Sequence, residues 1–187
     1  MAVSMTAEQA RGILTAYQQV ITASWPDLHP EMAAHAPNWS SANAEALERE
    51  LLGYVRAASS PDSRVRIFWK LLPAYTFGGC NEHFAHDAGL SSAEMQGIDD
   101  FDRRLPWVFQ AAKYRADDEA VVRSGHSKLN IVERQRGATG TTTWVRVGKA
   151  PIRTSTGVIG VFGAYQVLDP KTGRRLFVEK PLGTKKR

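Results

Sequence analysis

The chain has 187 residues, of which 43% are hydrophobic and 23% are charged, so it fits one globular domain of ordinary size with an accessory segment and not a disordered chain. Its net charge of +5 comes from residues 170–187, which hold seven basic residues and one acidic residue and leave the rest of the chain close to neutral. We therefore expect a solvated basic tail, and a nucleic-acid partner is not favoured because no recognition motif accompanies the basic residues.

Cysteine content and hydropathy indicate the cellular location expected for the protein. The single cysteine, Cys80, excludes an internal disulfide framework and a zinc site built from several cysteines. No window of eighteen or more apolar residues predicts a membrane span, and the N-terminus lacks the pattern of a signal peptide. The sequence therefore predicts a cytoplasmic protein with no membrane partner.

Residues 1–60 are predicted to form an N-terminal helical segment. Thr6 is a suitable N-cap for a first helix that stops at Trp25-Pro26, and its apolar positions recur at helical spacing at Ile13, Leu14, Tyr17, Val20 and Ile21. Residues 26–41 are predicted to be an irregular connection, after which Asn43 caps a second helix that runs to about Ala57. The Ser- and Pro-containing stretch 58–63 marks a boundary.

Residues 61–169 are predicted to form strands and short helices. Five strand candidates contain alternating or clustered apolar and aromatic residues. Between the second and third strand candidates, residues 81–125 are predicted to form short helices. These candidates are 65–72, 74–80, 128–134, 141–152 and 158–168. The order predicts an α+β fold in which a five-stranded antiparallel sheet carries short helices on one side.

Three segments in this region carry a family resemblance. They are Asn81-Glu-His-Phe-Ala85, the Trp-x4-Lys-x-Pro pattern that starts at Trp144, and Gly157-Val-Ile-Gly-Val-Phe-Gly163. In this order and spacing they resemble the PAS domain family, of the bacterial sensory type attached to histidine kinases and diguanylate cyclases. The resemblance covers about residues 65–169. It implies the PAS fold and a sensory role, with residues 170–187 as a basic C-terminal tail outside the domain.

One departure from the family concerns signal output. PAS domains that pass a signal to a following effector often end their last strand with Asp-Ile-Thr, whereas this chain has Gln166-Val-Leu-Asp-Pro170. The resemblance therefore does not predict direct coupling to a C-terminal effector.

The resemblance implies a cavity between the inner face of the sheet and the short helices. Seven residues are the candidate ligand-binding set: Phe84, Trp107, Tyr114, Leu129, Asn130, Trp144 and Arg146. Because side chains alternate along a strand, Trp144 and Val147 point to opposite faces, and only one of them can line the cavity. The competing interpretation is that these residues are ordinary core.

Several polar residues are given structural roles. Asn81 is predicted to cap the helix that carries Phe84. Asp117 and Asp118 follow Tyr114-Arg-Ala, a spacing that suits the start of a helix. Glu133 is expected to pair across strands with Arg146 or Lys149 in a surface ladder.

The cofactor is left unknown. His83, His86 and His126 raise haem as an alternative, although solvent-facing histidines are favoured. A flavin photoreceptor is disfavoured, because Cys80 precedes Asn81 in the wrong order and place for the reactive cysteine of that group.

The leading hypothesis is a non-enzymatic sensory domain that binds a small ligand or a protein partner. No nucleophile elbow, phosphate-binding loop or paired carboxylate supports the alternative of a small α+β cup enzyme. A separate signalling protein is an expected partner. We also expect a homodimer, because the apolar stripe of the first helix has to be buried, partly against the sheet and partly against a second copy.

Overall fold

The computed structural model describes residues 4–34, 39–136 and 141–178. A five-stranded antiparallel sheet forms its centre, with strands in the order β2-β1-β5-β4-β3. The strands are β1 (Arg66–Leu71), β2 (Thr76–Cys80), β3 (Lys128–Arg136), β4 (Thr142–Thr154) and β5 (Gly157–Leu168). The α+β fold class and the five-stranded antiparallel sheet predicted from the sequence are confirmed.

The outer face of the sheet is covered by α1 (Ala7–Ser24) and α3 (Ala44–Ala57). Thr6 and Gln9 close α1 with a reciprocal capping box, and Asn43 caps α3, as the sequence predicts. Every residue of the α1 stripe is fully buried within the single chain. This burial removes the reason for expecting the stripe to pair with a second copy.

The inner face is covered by α4 (Glu82–Ala88), α5 (Ser92–Met95), a 3-10 helix (Val108–Gln110) and α6 (Ala111–Ser124). Asn81 caps α4 as predicted, since its side chain accepts from the Phe84 amide. The same carboxamide also accepts from the Ile67 amide and donates to the carbonyls of Val65 and Ala58. Asn81 therefore fixes α4 against β1 as well as starting the helix.

Two segments differ from the prediction. The connection 26–41 contains a short helix, α2 (Pro30–Ala34), and the first part of the basic tail forms α7 (Pro170–Val178). Helix α7 packs against the outer face, where the rings of Phe177 and Trp144 lie 5.2 Å apart. Residues 179–187 lie outside the described residues, and so do residues 137–140 between the third and fourth strand candidates. The division into segments 1–60, 61–169 and 170–187 stays a prediction.

Strand β4 places alternate side chains on the two layers. Trp144, Gly148 and Ile152 lie on the outer side, where a side chain at Gly148 would meet Val20 of α1. Val145, Val147 and Lys149 lie on the inner side. No helix among the described residues is long and apolar enough to cross a membrane.

Candidate functional site

A cavity of about 90 Å³ lies between the inner face of the sheet and the helices that cover it. Val147, Lys149 and Tyr165 line it from β4 and β5, and Tyr114 lines it from α6. Its lining combines an aromatic wall with charged side chains. This mixture of apolar surface and a few placed polar groups is typical of ligand sites.

The aromatic wall is built around Phe84 of α4. Its ring centroid lies 4.8 Å from that of Phe68, 5.5 Å from Phe77, 5.4 Å from Trp107 and 6.2 Å from Tyr165. All the pairs are tilted or edge-on, which is the arrangement that aromatic quadrupoles favour. The wall therefore presents ring faces and edges that are held by one another.

A buried ionic network forms the charged side of the cavity. The ammonium of Lys70 on β1 donates to Asp100 at 2.5 Å and to Asp118 of α6 at 2.6 Å. The other oxygen of Asp118 accepts from Lys149 of β4 at 2.5 Å. Asp100 also accepts from the Trp107 indole at 3.3 Å. The network ties α6 and the loop before it to two strands of the sheet.

The network holds Asp118 and Lys70 in their charged forms. Burial opposes ionisation, but the ammoniums of Lys149 and Lys70 outweigh it and keep the pKa of Asp118 below its ordinary value. Burial likewise works to lower the pKa of Lys70, and the carboxylates of Asp118 and Asp100 overcome it and raise that pKa. Neither group is poised to exchange a proton near neutral pH.

A second ion pair lies beneath Tyr165. Arg66 donates to both carboxylate oxygens of Asp87, at 2.8 and 3.2 Å, and the Tyr165 hydroxyl donates to Asp87 at 2.8 Å. Burial, followed by the nearby Asp87 carboxylate, raises the pKa of Tyr165 well above its ordinary value. The phenol is therefore a neutral part of the cavity wall.

Polar links join α6 to the edge strand β3. The side chain of Gln135 donates to the Tyr114 hydroxyl at 3.0 Å, and Tyr114 donates to Gln110 at 2.7 Å. Lys128 of β3 lies 3.5 Å from Asp117, which is an ion pair in a partly exposed position. Side chains, rather than backbone pairing, therefore close this side of the cavity.

The structure brings three of the seven sequence-predicted site residues to the cavity. Phe84, Trp107 and Tyr114 line it. That any of them binds a ligand stays a prediction.

The other four are not among the described lining residues. Trp144 lies on the outer face against α7, and Arg146 donates to the Ser24 carbonyl there. Leu129 packs against the core beneath α1. Asn130 is exposed and has a φ of 52° within an irregular part of the β3–β4 pairing. The alternation of β4 gives Val147, not Trp144, to the cavity.

The predicted roles of the acidic residues require correction. Asp118 does not start a helix, because α6 begins seven residues earlier at Ala111 and carries Asp118 in its interior. Glu133 lies opposite Val145, and its ion-pair partner is Lys113 at 3.9 Å rather than a strand residue. Lys149 is buried against Asp118 and is not part of a surface ladder.

Sequence reasoning did not assign Lys70, Asp100, Asp118 and Lys149 to the site. One signal was available, since Lys70 stands within the apolar run Phe68-Trp69-Lys70-Leu71 of a predicted strand. A lysine buried in a strand requires a carboxylate partner. Its partners lie 30 and 48 residues away in the chain, and no local pattern identifies them.

The residues considered for cofactors lie away from the described cavity lining. His83 contacts the Ser60 carbonyl at 2.9 Å, and His86 and His126 are exposed. Burial raises the pKa of the Cys80 thiol to about 12, so the thiol stays protonated. Among residues 4–34, 39–136 and 141–178, no group of three or more His, Cys, Asp or Glu side chains is arranged to hold a metal ion.

The five-stranded antiparallel sheet with its covering helices has the PAS fold, as the sequence motifs predict. No protein-family model matches the chain, and no curated protein matches it. Solved structures do match. The complex of phage VqmA with DPO is 23% identical, with a TM-score of 0.51 over 72% of this chain and 60% of that chain.

Two further structures have lower TM-scores. A ligand and DNA complex of VqmA from Vibrio cholerae is 23% identical, with a TM-score of 0.46 over 64% of this chain and 55% of that one. A sensory box sensor histidine kinase from the same organism is 14% identical, with a TM-score of 0.47 over 68% and 97%. The chain spans between 47% and 60% of the VqmA chains that it matches. At these identities the likeness concerns the fold alone.

Proposed function

We propose that this chain is a non-enzymatic PAS sensory domain that binds a small molecule in the cavity between the sheet and α6. The observation that carries the proposal is the cavity itself. It combines an aromatic wall around Phe84 with the ammonium of Lys149, which is fixed by Asp118. Such a pairing of apolar surface with one oriented polar group gives both affinity and orientation to a bound molecule.

The ionisation states favour binding over catalysis. A general base or nucleophile works best when its pKa lies near the working pH. Here the pKa of Lys70 is raised, and those of Tyr165 and Tyr114 are raised mainly by burial. Each shift moves the group further from its reactive deprotonated form. We therefore place the small α+β enzyme second to the sensor.

A cavity-filling substitution tests the proposal. Val147 lines the cavity, so Val147→Phe should fill it, whereas Val167→Phe on β5 changes a valine that is 42% exposed and is not among the described lining residues. We expect small metabolites in a library to raise the melting temperature of the wild type and of Val167→Phe, but not of Val147→Phe. A rise of equal size in all three proteins, or in none, would contradict the proposal.

Four further parts of the hypothesis belong to the same proposal. The phage VqmA structure is a complex with DPO, and binding of a comparable small molecule is proposed for this chain by likeness of fold. We also propose that the domain forms a homodimer through a surface other than the α1 stripe, and that it signals to a separate protein. A cytoplasmic location is proposed because Cys80 is a free thiol, which fits a reducing compartment.

A further inference from the structure

A groove of about 160 Å³ lies on the outer side of the sheet, between helix α3 and strand β2. Leu51 and Leu52 line it from α3, and Gly78, Gly79 and Cys80 line it from β2. Leu52 is 46% exposed, so the groove opens to solvent beside an apolar side chain. It is separate from the cavity on the inner face, because the two share no described lining residue.

Trp69 of β1 contributes its indole to this groove. The pairing of β1 with β2 is irregular here, and Gly78 and Gly79 both lie against the Trp69 side chain. A Cβ at Gly78 would lie 2.7 Å from the indole Nε1, and a Cβ at Gly79 would overlap the benzene ring of the indole. Glycine weakens the interior of a strand and often marks a site where a ligand or another backbone approaches closely. The two glycines therefore place bare backbone beside the N–H edge of the indole.

The indole N–H of Trp69 is a buried donor that has no acceptor among the described residues. The residue is only 3% exposed, so bulk solvent does not reach the ring freely. A buried N–H without an acceptor is costly, and nearly all such groups in folded proteins are bonded to protein or to an ordered molecule. The groove is the space from which an acceptor can reach this N–H, because Trp69 and the adjacent Gly78 both line it.

Glu48 of α3 determines the charge of the groove. It is the one charged side chain among the described residues that line the groove, to which Ser92 and Gln96 add neutral polar groups. A carboxylate with no cation beside it in the groove repels an anion and attracts a cation. The groove therefore combines an apolar surface, one unpartnered donor and one negative charge.

We propose that this groove is a second binding site, which takes a compact molecule with an aliphatic body, a carbonyl oxygen and a positive charge. The carbonyl oxygen accepts from the Trp69 indole, the aliphatic body packs against Leu51 and Leu52, and the positive charge faces Glu48. An amide of an aliphatic amino acid has all three features. The site goes beyond the proposed sensory function, because it lies on the other side of the sheet and does not use the inner cavity.

Three probes that share one aliphatic chain and differ in charge test the proposal. They are leucinamide, 4-methylpentanamide and 4-methylpentanoate, with charges of about +1, 0 and −1 at pH 7. Each is titrated into the full chain while the NMR signal of the Trp69 indole N–H is followed. We expect both amides to move this signal as the N–H gains an acceptor. Leucinamide should bind about threefold more tightly than 4-methylpentanamide, as an exposed ion pair allows, and 4-methylpentanoate should bind most weakly.

Two substitutions separate the contributions of charge and hydrogen bond. Glu48→Gln should remove the difference between the two amides, whereas Glu45→Gln should keep it, since Glu45 is exposed on the same helix and is not among the described lining residues. Trp69→Phe keeps an aromatic ring and removes the N–H, so it should weaken 4-methylpentanamide binding by about threefold or more. Loss of one indole signal in this variant also assigns the Trp69 resonance.

The outcomes distinguish this site from the inner cavity. Val147→Phe fills the inner cavity and should leave binding of both amides unchanged, so loss of binding in this variant would overturn the proposal. Equal binding of the three probes, or tightest binding of 4-methylpentanoate, would overturn it as well. A Trp69 signal that no probe moves would show that the indole N–H is bonded by water alone. The order of the three probes on the wild type decides the proposal even if Trp69→Phe does not fold.

Discussion

Asp118 links α6 to two strands of the sheet through buried ion pairs. It is fully buried in the interior of α6, and its carboxylate joins two lysines from different strands. We expect Asp118→Asn to lower the free energy of unfolding by about 3–5 kcal/mol, because it takes the described carboxylate partner from the Lys149 ammonium and one of two from Lys70. The adjacent Asp117→Asn is the matched control, since Asp117 pairs with Lys128 near the surface and such pairs contribute only about 0–1 kcal/mol. Urea denaturation of both variants measures the difference.

The pH dependence of stability provides a second readout of the same substitution. The pKa of Asp118 is lower in the folded chain than its ordinary value of 3.8, so the folded state binds fewer protons than the unfolded state. This contribution is present above pH 3.8 and is lost as pH falls through the folded pKa. Asp118→Asn should therefore be less sensitive than the wild type to acid below pH 4. Equal acid sensitivity would show that Asp118 is not held as a carboxylate.

The positions of individual residues show which roles can be predicted from the local sequence. The family resemblance predicts Phe84 and Trp107 at the cavity, and the start of its own helix predicts Asn81 as a cap. Asp118 was misread because the signal for a helix start is local, whereas its partners Lys70 and Lys149 come from distant strands. Buried ion pairs are chosen by tertiary geometry, which a single sequence does not display.

Helix α7 is docked on the domain by aromatic packing against Trp144 of β4. Its Gly173 is buried, and a Cβ there would overlap the side chain of Trp144, while Phe177 packs edge-on against the same indole. Arg134 lies over both rings. An aromatic pair of this kind contributes about 0.5–1.5 kcal/mol beyond burial. The docking contacts described here therefore centre on the Trp144 indole.

We expect Gly173→Ala to undock α7 while leaving it helical, because alanine favours a helix over glycine by about 1 kcal/mol and the overlap with Trp144 opposes packing. Trypsin should then cleave after Lys171, Arg174 and Arg175 faster than in the wild type. Gly53→Ala is the control, since this exposed position of α3 has no atom within 4 Å of an added Cβ. Unchanged cleavage in Gly173→Ala would mean that α7 is not held by this contact.

The element pattern was predictable where the apolar period was strong. Helices α1 and α3 and all five strands follow from periodicity and caps. Helix α7 was missed because its charge pattern, with Lys171, Arg174 and Arg175, is that of a solvated tail. Helix α7 is stabilised by packing against Trp144, a residue of strand β4. Tertiary packing of this kind commonly decides whether so short a helix forms.

At the scale of the whole molecule, the sheet separates two layers with different chemistry. The outer layer beneath α1 is apolar, with Ile152 and Phe162 of the sheet packed against the helix stripe. The inner layer contains the ionic network and the cavity. Strands β4 and β5 belong to both layers, since their alternate side chains face opposite sides. A displacement of side chains in the inner layer can therefore be transmitted to α1 through strands β4 and β5.

The last prediction concerns the burial of α1. Ile13, Leu14 and Ile21 are 0% exposed within one chain, so α1 needs no second copy to cover its stripe. We expect the hydrogen-exchange protection of α1 amides, relative to that of the buried central strands, to be the same at about 1 μM and about 100 μM protein, because a helix buried between subunits would lose additional protection on dilution.

Leu14→Ala should cost about 2–5 kcal/mol at both concentrations, as a fully buried leucine truncation does. Leu52→Ala on α3 is the matched control, since Leu52 is 46% exposed and its truncation should cost much less. Faster exchange of α1 on dilution would instead place the stripe between two copies. Protection that changes with concentration in another segment, with α1 unchanged, would locate the proposed homodimer contact there.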